Sequence, residues 1–263
     1  MGEDFRAGIN TGVPHISRVY DYWLGGTNNY PADRELAEKF IAADPGVIEG
    51  VRNNRAFLSR AVEFLARQAG VRQFLDIGAG IPSVDNVHEV AQRHADGTTV
   101  LYVENDPIAL SHGRALLAEH PAEAVEFLDA DLRDPANLLA QASEKLDFTE
   151  PVALLLLSVL HCIPDSDDPA AIVRCLLDAV PAGSYLAISH PASDIHKFEI
   201  EEGAAVLNRS LSAPVTFRSR DQVLSFFNGL ELLEPGLVTH SRWRPRPGAE
   251  TRWHSSWAGM AKK

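Results

Sequence analysis

Cysteine is nearly absent: in 263 residues only Cys162 and Cys175 carry thiols. Their spacing fits neither a CxxC pair nor a zinc-ligand pattern, so both read as free thiols in a reducing cytoplasm. A long apolar run is also missing. The longest, Val152 to Leu160, is broken by Ser158 and falls far short of the roughly 20 residues that a membrane helix needs. Met1 to Asn10 contains no apolar signal-peptide region. Positive charge is in deficit, with 24 Lys plus Arg against 36 Asp plus Glu and a formal net charge of −12. No diffuse basic surface is left to track a phosphate backbone, and nucleic acid is a disfavoured partner. A local cluster of Arg242, Arg244, Arg246 and Arg252 is interleaved with Trp243, Pro245 and Pro247, a pattern that a structured turn explains as well as a nucleic-acid contact does.

With 45% hydrophobic and 23% charged residues, the composition is that of a soluble globular protein able to bury a core. Its length suits one large domain, or one domain with an appendage, because single cores stop growing at roughly 250–300 residues. Residues 71–77, 98–103, 124–128, 152–159 and 185–189 are short runs rich in β-branched, aromatic or aliphatic side chains, with helix-compatible segments between them. Strands alternating with helices predict right-handed crossovers and a parallel sheet covered on both faces. Asp44-Pro45, Asp106-Pro107, Asp134-Pro135 and Asp168-Pro169 each set a capping carboxylate before a proline suited to the first helical position. Phe57, Leu58, Ala61, Val62 and Leu65 share one helical face that runs into the first strand, with Gly70 ending the helix. Towards the C-terminus, 222–227 reads as helix, while 231–233, 237–239 and 255–260 read as strands around the Pro235-Gly236 turn, closing one sheet edge as an antiparallel pair. Residues 1–50 lie outside this pattern, and Tyr20, Tyr22, Trp23, Gly25, Gly26 and Tyr30 predict an ordered helical cap there.

The chemistry centres on residues 74–80 (FLDIGAG), a buried strand running into a glycine pair, followed by a helix near 86–94. Gly78 and Gly80 carry no Cβ and adopt positive φ readily, so a ligand can approach the backbone at the sheet edge where open α/β sheets bind ligands. Alone, such a pair also fits a plain strand-to-helix turn. The next strand ends in Glu104, and a carboxylate at that tip can accept both hydroxyls of a ribose. The third ends in Asp129-Ala-Asp131-Leu132, which offers a carboxylate and a backbone N–H to an adenine edge. Three consecutive strand ends thus supply complementary groups for one adenosine.

Residues 75–80, 103–107 and 130–132 resemble the first three motifs of class I S-adenosylmethionine-dependent methyltransferases. Residues 17–26 (SRVYDYWLGG), 53–57 (NNRAF), 86–90 (NVHEV) and 243–245 (WRP) resemble, more narrowly, an actinobacterial S-adenosyl methyltransferase family once catalogued only as a domain of unknown function. That resemblance covers nearly the whole chain. It implies a Rossmann-like α/β fold with a seven-stranded methyltransferase sheet of order 3-2-1-4-5-7-6, residues 1–50 forming an N-terminal helical cap and 51–263 the methyltransferase domain. It implies S-adenosylmethionine as cofactor, with Gly78, Ala79 and Gly80 against it and Asp76 near its methionine amino group. Glu104 is then placed at the ribose and Asp131 with Leu132 at the adenine, and Asn105 and Ser158 join the cofactor-binding set. Trp23 departs from the family pattern, standing where an aliphatic residue is common.

A dinucleotide oxidoreductase wants a third glycine, whereas residues 78–83 read GAGIPS and Pro82 interrupts the helix start, which weakens a pyrophosphate cradle. His161 follows the fourth strand, where a methyltransferase places groups near the transferable methyl, and is the candidate general base. Loop support is the competing reading, since an activated sulfonium needs little beyond proximity. Paired with His190 it lacks the third ligand of a catalytic metal site, so no metal is expected. Tyr20, Tyr22, Asn29 and Tyr30 on the cap could cover the methionine end or bind an acceptor, ordinary packing being the alternative. Arg55 could hold the cofactor carboxylate or join a surface ion pair. The expected activity is methyl transfer from S-adenosylmethionine to a small-molecule acceptor by in-line displacement; the rival is a non-catalytic cofactor-binding regulator.

Overall fold

The computed structural model describes residues 10–119, 124–251 and 255–263. Nine of the N-terminal residues read for a signal region, 1–9, and Arg252 of the basic cluster lie outside the described residues. Strands β1 (Gln73–Ile77), β2 (Thr99–Glu104), β3 (Val125–Asp129), β4 (Val152–Leu157), β5 (Tyr185–Pro191), β6 (Glu231–Leu232) and β7 (Ser256–Lys262) form one sheet. Its order is β3-β2-β1-β4-β5-β7-β6, the order the motifs imply. Strands β1 to β5 are parallel, and β7 lies antiparallel between β5 and β6. The helices are α1 (Ile16–Trp23), α2 (Pro31–Ala43), α3 (Val47–Arg67), α4 (Val87–His94), α5 (Pro107–Glu119), α6 (Pro135–Ala142), α7 (Pro169–Ala179), α8 (Lys197–Ser210) and α9 (Arg220–Ser225).

Strand side chains alternate between two cores, as a period of two requires. Leu75, Ile77, Leu101, Val103, Leu154 and Leu156 pack with α6, α7 and α9. Phe74, Val100, Tyr102, Ala153 and Leu155 pack with Phe57, Leu58, Ala61, Val62 and Leu65 of α3 and with α4. Covered on both faces, β4 has no polar side to present, which is why it reads as an unbroken aliphatic run. Asp134 and Asp168 cap α6 and α7 by accepting from Asn137 N and Ala171 N, and Asp106 accepts from Ile108 N in the first turn of α5.

The fourth Asp-Pro pair behaves differently. Asp44 ends α2 and its side chain accepts from Gly46 N, so the next helix starts only at Val47. Two strand expectations also shorten. Ser158 takes φ +53°, which turns the chain out of β4 after Leu157. Residues 237–239 contribute a single bridge, Val238 with Ala258, because the chain then enters a 3-10 turn at His240–Arg242. Arg60 of α3 fixes that turn by donating to the carbonyls of His240 (2.6 Å) and Trp243 (2.9 Å). The buried Trp243 ring meets Phe57 edge-on, with centroids 5.2 Å apart. Arg244 lies over Phe64, and Arg246 pairs with Glu63, so these two arginines of the basic cluster serve the α3 surface.

Helices α1, α2 and the first turns of α3 form a third cluster that α8 and residues 211–217 complete. Residues 50 and 51 both lie inside α3, so one helix carries the chain from the cap onto the sheet. The cap is held by a buried ion pair. Asp33, fully buried, accepts from Arg18 Nε (3.0 Å) and from the backbone N–H groups of His15 and Tyr30. Trp23 packs on Phe40 and donates to Ala37 O, so the larger ring is accommodated without leaving its indole nitrogen unpaired.

Arg18→Met should therefore leave Asp33 a buried carboxylate without its cation and lower stability by about 3–5 kcal/mol. Urea unfolding checks this, with the double variant Arg18→Met/Asp33→Asn, which removes the buried charge but keeps an acceptor for the backbone N–H groups, recovering part of the loss.

Candidate functional site

The carboxyl ends of β1 to β4 open into a cavity of about 540 Å³, roofed by α1, the 44–51 segment, α8 and residues 211–217. The floor is the glycine loop after β1. Gly78 has φ +77°, and its N–H donates to Val103 O of β2 (2.8 Å). A Cβ at Gly78 would stand 2.4 Å from Val159 Cγ2, whereas one at Gly80 (φ +66°) would meet nothing within 4 Å. The loop thus passes closely beneath the β4 tip.

Glu104 at the end of β2 is buried, and its carboxylate gathers three backbone donors: Gly80 N on Oε2 at 2.8 Å, and Asn105 N and Asp106 N on Oε1 at 2.9 Å each. Beyond β3, Asp131 accepts from Arg133 and from Asn105 Nδ2, and the Arg133 guanidinium holds its carboxyl below the usual range. Asp76 at the β1 tip is pushed up to about 7, chiefly by burial, with Arg55 opposing and Glu104 adding to the rise. Arg55 reaches over from α3, donating to the carbonyls of Val84 and Asp85 (2.9 Å each), while its buried Nε has no partner.

A hydrogen-bond chain joins the cap to the sheet at this level. Tyr20 Oη donates to Val51 O (3.3 Å) and accepts from Asn54 Nδ2 (2.9 Å). Asn54 Oδ1 in turn accepts from Ser189 Oγ of β5 (2.7 Å), and Ser158 Oγ lies 3.4 Å further on.

After β4, His161 and Cys162 line the cavity on a 3-10 turn. His161 is pushed down to about 4 by burial and by the nearby Arg218 guanidinium, so its ring is neutral at physiological pH. Its Nδ1 is buried with no hydrogen-bond partner. Cys162 is pushed up to about 12, mainly by burial, and stays a thiol. Arg218 is buried behind this turn and donates to Leu160 O (2.8 Å), Ile163 O (2.7 Å), Asp165 Oδ1 (2.7 Å) and His190 Nε2 (3.0 Å). His190 donates its other ring N–H to Pro191 O, so both of its nitrogens are committed and neither is free for a metal.

The cavity therefore gathers Asp76, Gly78, Ala79, Gly80, Glu104, Asn105, Asp131, Leu132, Ser158, His161, Tyr20 and Arg55. Three cap candidates lie off it. Tyr22 turns outward and donates to Glu38, Asn29 donates to Asp21 and Gly26 O to shape the α1–α2 loop, and Tyr30 precedes α2 with Arg18 over its ring. Sequence reasoning passed over Asn54, although it stands in the NNRAF segment, and Arg218, which no spacing marks. It also passed over α8 as a wall of the site.

Over residues 3–263 the sequence matches the family described as S-adenosyl methyltransferase. The chain belongs to that family. A crystal structure of a DUF574 family protein from Streptomyces avermitilis is 38% identical, with a TM-score of 0.91 over 96% of this chain and 98% of that one. A Thermobifida fusca protein assigned as a methyltransferase is 36% identical, with a TM-score of 0.89 over 96% of each chain. The mitomycin 7-O-methyltransferase MmcR shares the fold, at TM-score 0.52 and 14% identity over 93% of this chain and 71% of its own. No curated protein matches the sequence. This S-adenosyl methyltransferase uses S-adenosylmethionine as its methyl donor. Among the described residues no group of His, Cys, Asp and Glu is arranged to hold a metal, and no helix is long and apolar enough to cross a membrane.

Gly78→Ala forces an L side chain into positive φ and into Val159. It should cost about 1–2 kcal/mol for the conformation and about 1–3 kcal/mol for the overlap, while Gly80→Ala incurs only the first. Denaturant unfolding of the two variants in parallel measures the difference.

Proposed function

We propose that the methyltransferase holds the adenosine of S-adenosylmethionine across the tips of β1, β2 and β3 and transfers the methyl group to a small molecule in the remainder of the cavity. The convergence of three consecutive parallel strand ends on the same cavity carries this reading. A carboxylate offers about four acceptor positions. Glu104 spends three on backbone N–H groups, which leaves about one position, on the Oε2 side, toward a ribose hydroxyl. Asn105, Asp131 and Leu132 flank the adenine, and Gly78, Ala79 and Gly80 pass beneath the nucleoside. Asp76 faces the methionine ammonium, and Arg55, with its unpartnered Nε, faces the carboxylate. Ser158 sits beside the sulfonium. A bound dinucleotide fits less well: α4 begins only at Val87, and its N-terminus already holds the Glu89 carboxylate in a capping box, where a pyrophosphate would be repelled.

Calorimetry should show binding of S-adenosylmethionine and S-adenosylhomocysteine and none of NAD; the reverse pattern overturns the assignment. Glu104→Gln keeps one acceptor oxygen for the loop but loses the charge, and should weaken either sulfur nucleoside by about 1.5–3 kcal/mol. Unaltered affinity in the folded variant would remove Glu104 from the ribose.

Asp76 also sets a pH dependence. With its pKa at about 7, binding an ammonium below that pH must first expel the carboxyl proton. Affinity for S-adenosylhomocysteine should fall as pH drops below 7, approaching about tenfold per unit. Methylthioadenosine, which lacks the amino group, should show little change over the same range.

A further inference from the structure

Resting on that placement of the cofactor, we infer that the half of the cavity under the cap and α8 is an acceptor subsite for a neutral, largely apolar molecule bearing a hydroxyl, which is methylated on oxygen with His161 receiving the proton. The wall is the inner face of the third hydrophobic cluster, to which Trp23 of α1, Leu207 of α8, Leu211, Val215 and Phe217 all belong. A charged acceptor would lose its hydration there without gaining a partner. Among the described residues lining the cavity, the guanidinium groups are those of Arg55 and Arg133, and no lysine lines it. Arg55 is committed to two carbonyls beside the glycine loop, and Arg133 to Asp131 beyond β3, so both lie on the nucleoside side and an anionic acceptor finds no cation of its own. A cationic acceptor would stand beside the sulfonium and be repelled by it.

Asp44, His196 and Glu199 line the less buried rim of this half, and the polar side chain buried beside the wall is His161. Its ring lies edge-on to Phe217, with centroids 6.2 Å apart, and its Nδ1 is buried without a partner. Such an atom is costly to leave unmade, which marks a place for a ligand's polar group. Arg218 pins the chain on both sides of His161 through Leu160 O and Ile163 O, so the backbone that carries the imidazole is held in place. The chemistry then balances within the site. A lone pair of the acceptor oxygen attacks the methyl carbon in line with the carbon–sulfur bond; the C–O bond forms and the C–S bond breaks, its electron pair staying on sulfur. The hydroxyl proton passes to His161. Positive charge moves from sulfur to imidazole, so no net charge is created in an apolar enclosure, and loss of the proton to water restores the neutral ring.

The test uses the full chain and neutral phenols of increasing size (phenol, 1-naphthol, 7-hydroxyflavone) against 1-hydroxy-2-naphthoate and 1-naphthylmethylamine. Binding to the S-adenosylhomocysteine complex is measured by calorimetry, and products with S-adenosylmethionine by mass spectrometry. At least one neutral phenol should bind and yield its methyl ether, with the carboxylate and the amine weaker by about tenfold or more. His161→Gln should keep S-adenosylhomocysteine affinity and lower turnover of that phenol by roughly 10²–10⁴-fold. Leu211→Asp should weaken the phenol alone, intact S-adenosylhomocysteine binding reporting that the fold survives; if it does not survive, Leu211→Asn takes its place. Failure to bind S-adenosylhomocysteine at all sinks the cofactor placement. Normal S-adenosylhomocysteine binding with no phenol bound, preference for the anion or the amine, or wild-type turnover in His161→Gln overturns the subsite instead.

Discussion

The site depends first on where Glu104 puts its charge. A carboxylate buried at the end of a strand is expensive unless it is well hydrogen-bonded, and this one is stabilised by the N–H groups of Gly80, Asn105 and Asp106. Those bonds set the separation of the β1 and β2 tips and hold the glycine loop open. The loop itself cannot stray. Gly78 is confined by Val159 on one side and by its bond to Val103 O on the other. Strand pairing, loop conformation and ligand-facing charge are thus one coupled arrangement, and removing the charge disturbs all three.

The roof is attached to this floor by polar chains rather than by area alone. Asn54 lies on the same α3 face as Phe57 and Leu58, which anchor the helix to the sheet, so its amide is delivered to Ser189 with the accuracy of core packing. Tyr20 then rests on Asn54 and Val51, which places α1 relative to β5. A buried network of this kind favours one arrangement strongly because any slip leaves several groups unpaired. The second anchor is Arg218, whose guanidinium gathers the carbonyls on either side of His161 and Cys162. Methyl transfer needs alignment more than it needs an acid or a base, and these two networks supply alignment from opposite sides of the cavity.

What was legible in the sequence was whatever local chemistry dictates. The aliphatic run of β4, the glycine pair after β1 and the Asp-Pro caps of α5, α6 and α7 each state their structure within a few residues. Asp44-Pro45 carries the same local signal but its carboxylate is captured by Gly46 N, and a helix already ends there. The 237–239 segment has the alternation of a strand, yet Arg60, far away in sequence, takes its following carbonyls and bends it into a turn. Tyr22, Asn29 and Tyr30 share the composition of a ligand-binding cap with Tyr20. Helix phase and loop closure decide which of them faces inward, and neither is visible in residue type. Arg218 and α8 act entirely through long-range contacts, so no window of sequence contains their meaning.

The two halves of the cavity differ in the property that matters most for this chemistry. Asp76, Glu104 and Asp131 set carboxyl groups at the strand tips, and Arg55 lines the cavity beside them; in the proposed placement the donor's ammonium and sulfonium gain from the carboxylates. Under the roof the lining is mainly hydrocarbon and includes an imidazole kept neutral by burial and by Arg218. A sulfonium at the boundary is therefore stabilised from behind and poorly solvated in front. On the proposed reading, transfer of the methyl group discharges the sulfonium while the hydroxyl proton passes to His161, so the apolar side holds no more charge after the step than the donor brought to it. On that reading the contrast between an apolar roof and a carboxyl-lined floor sorts donor from acceptor, and the neutral imidazole is the buried group under the roof placed to take up the proton.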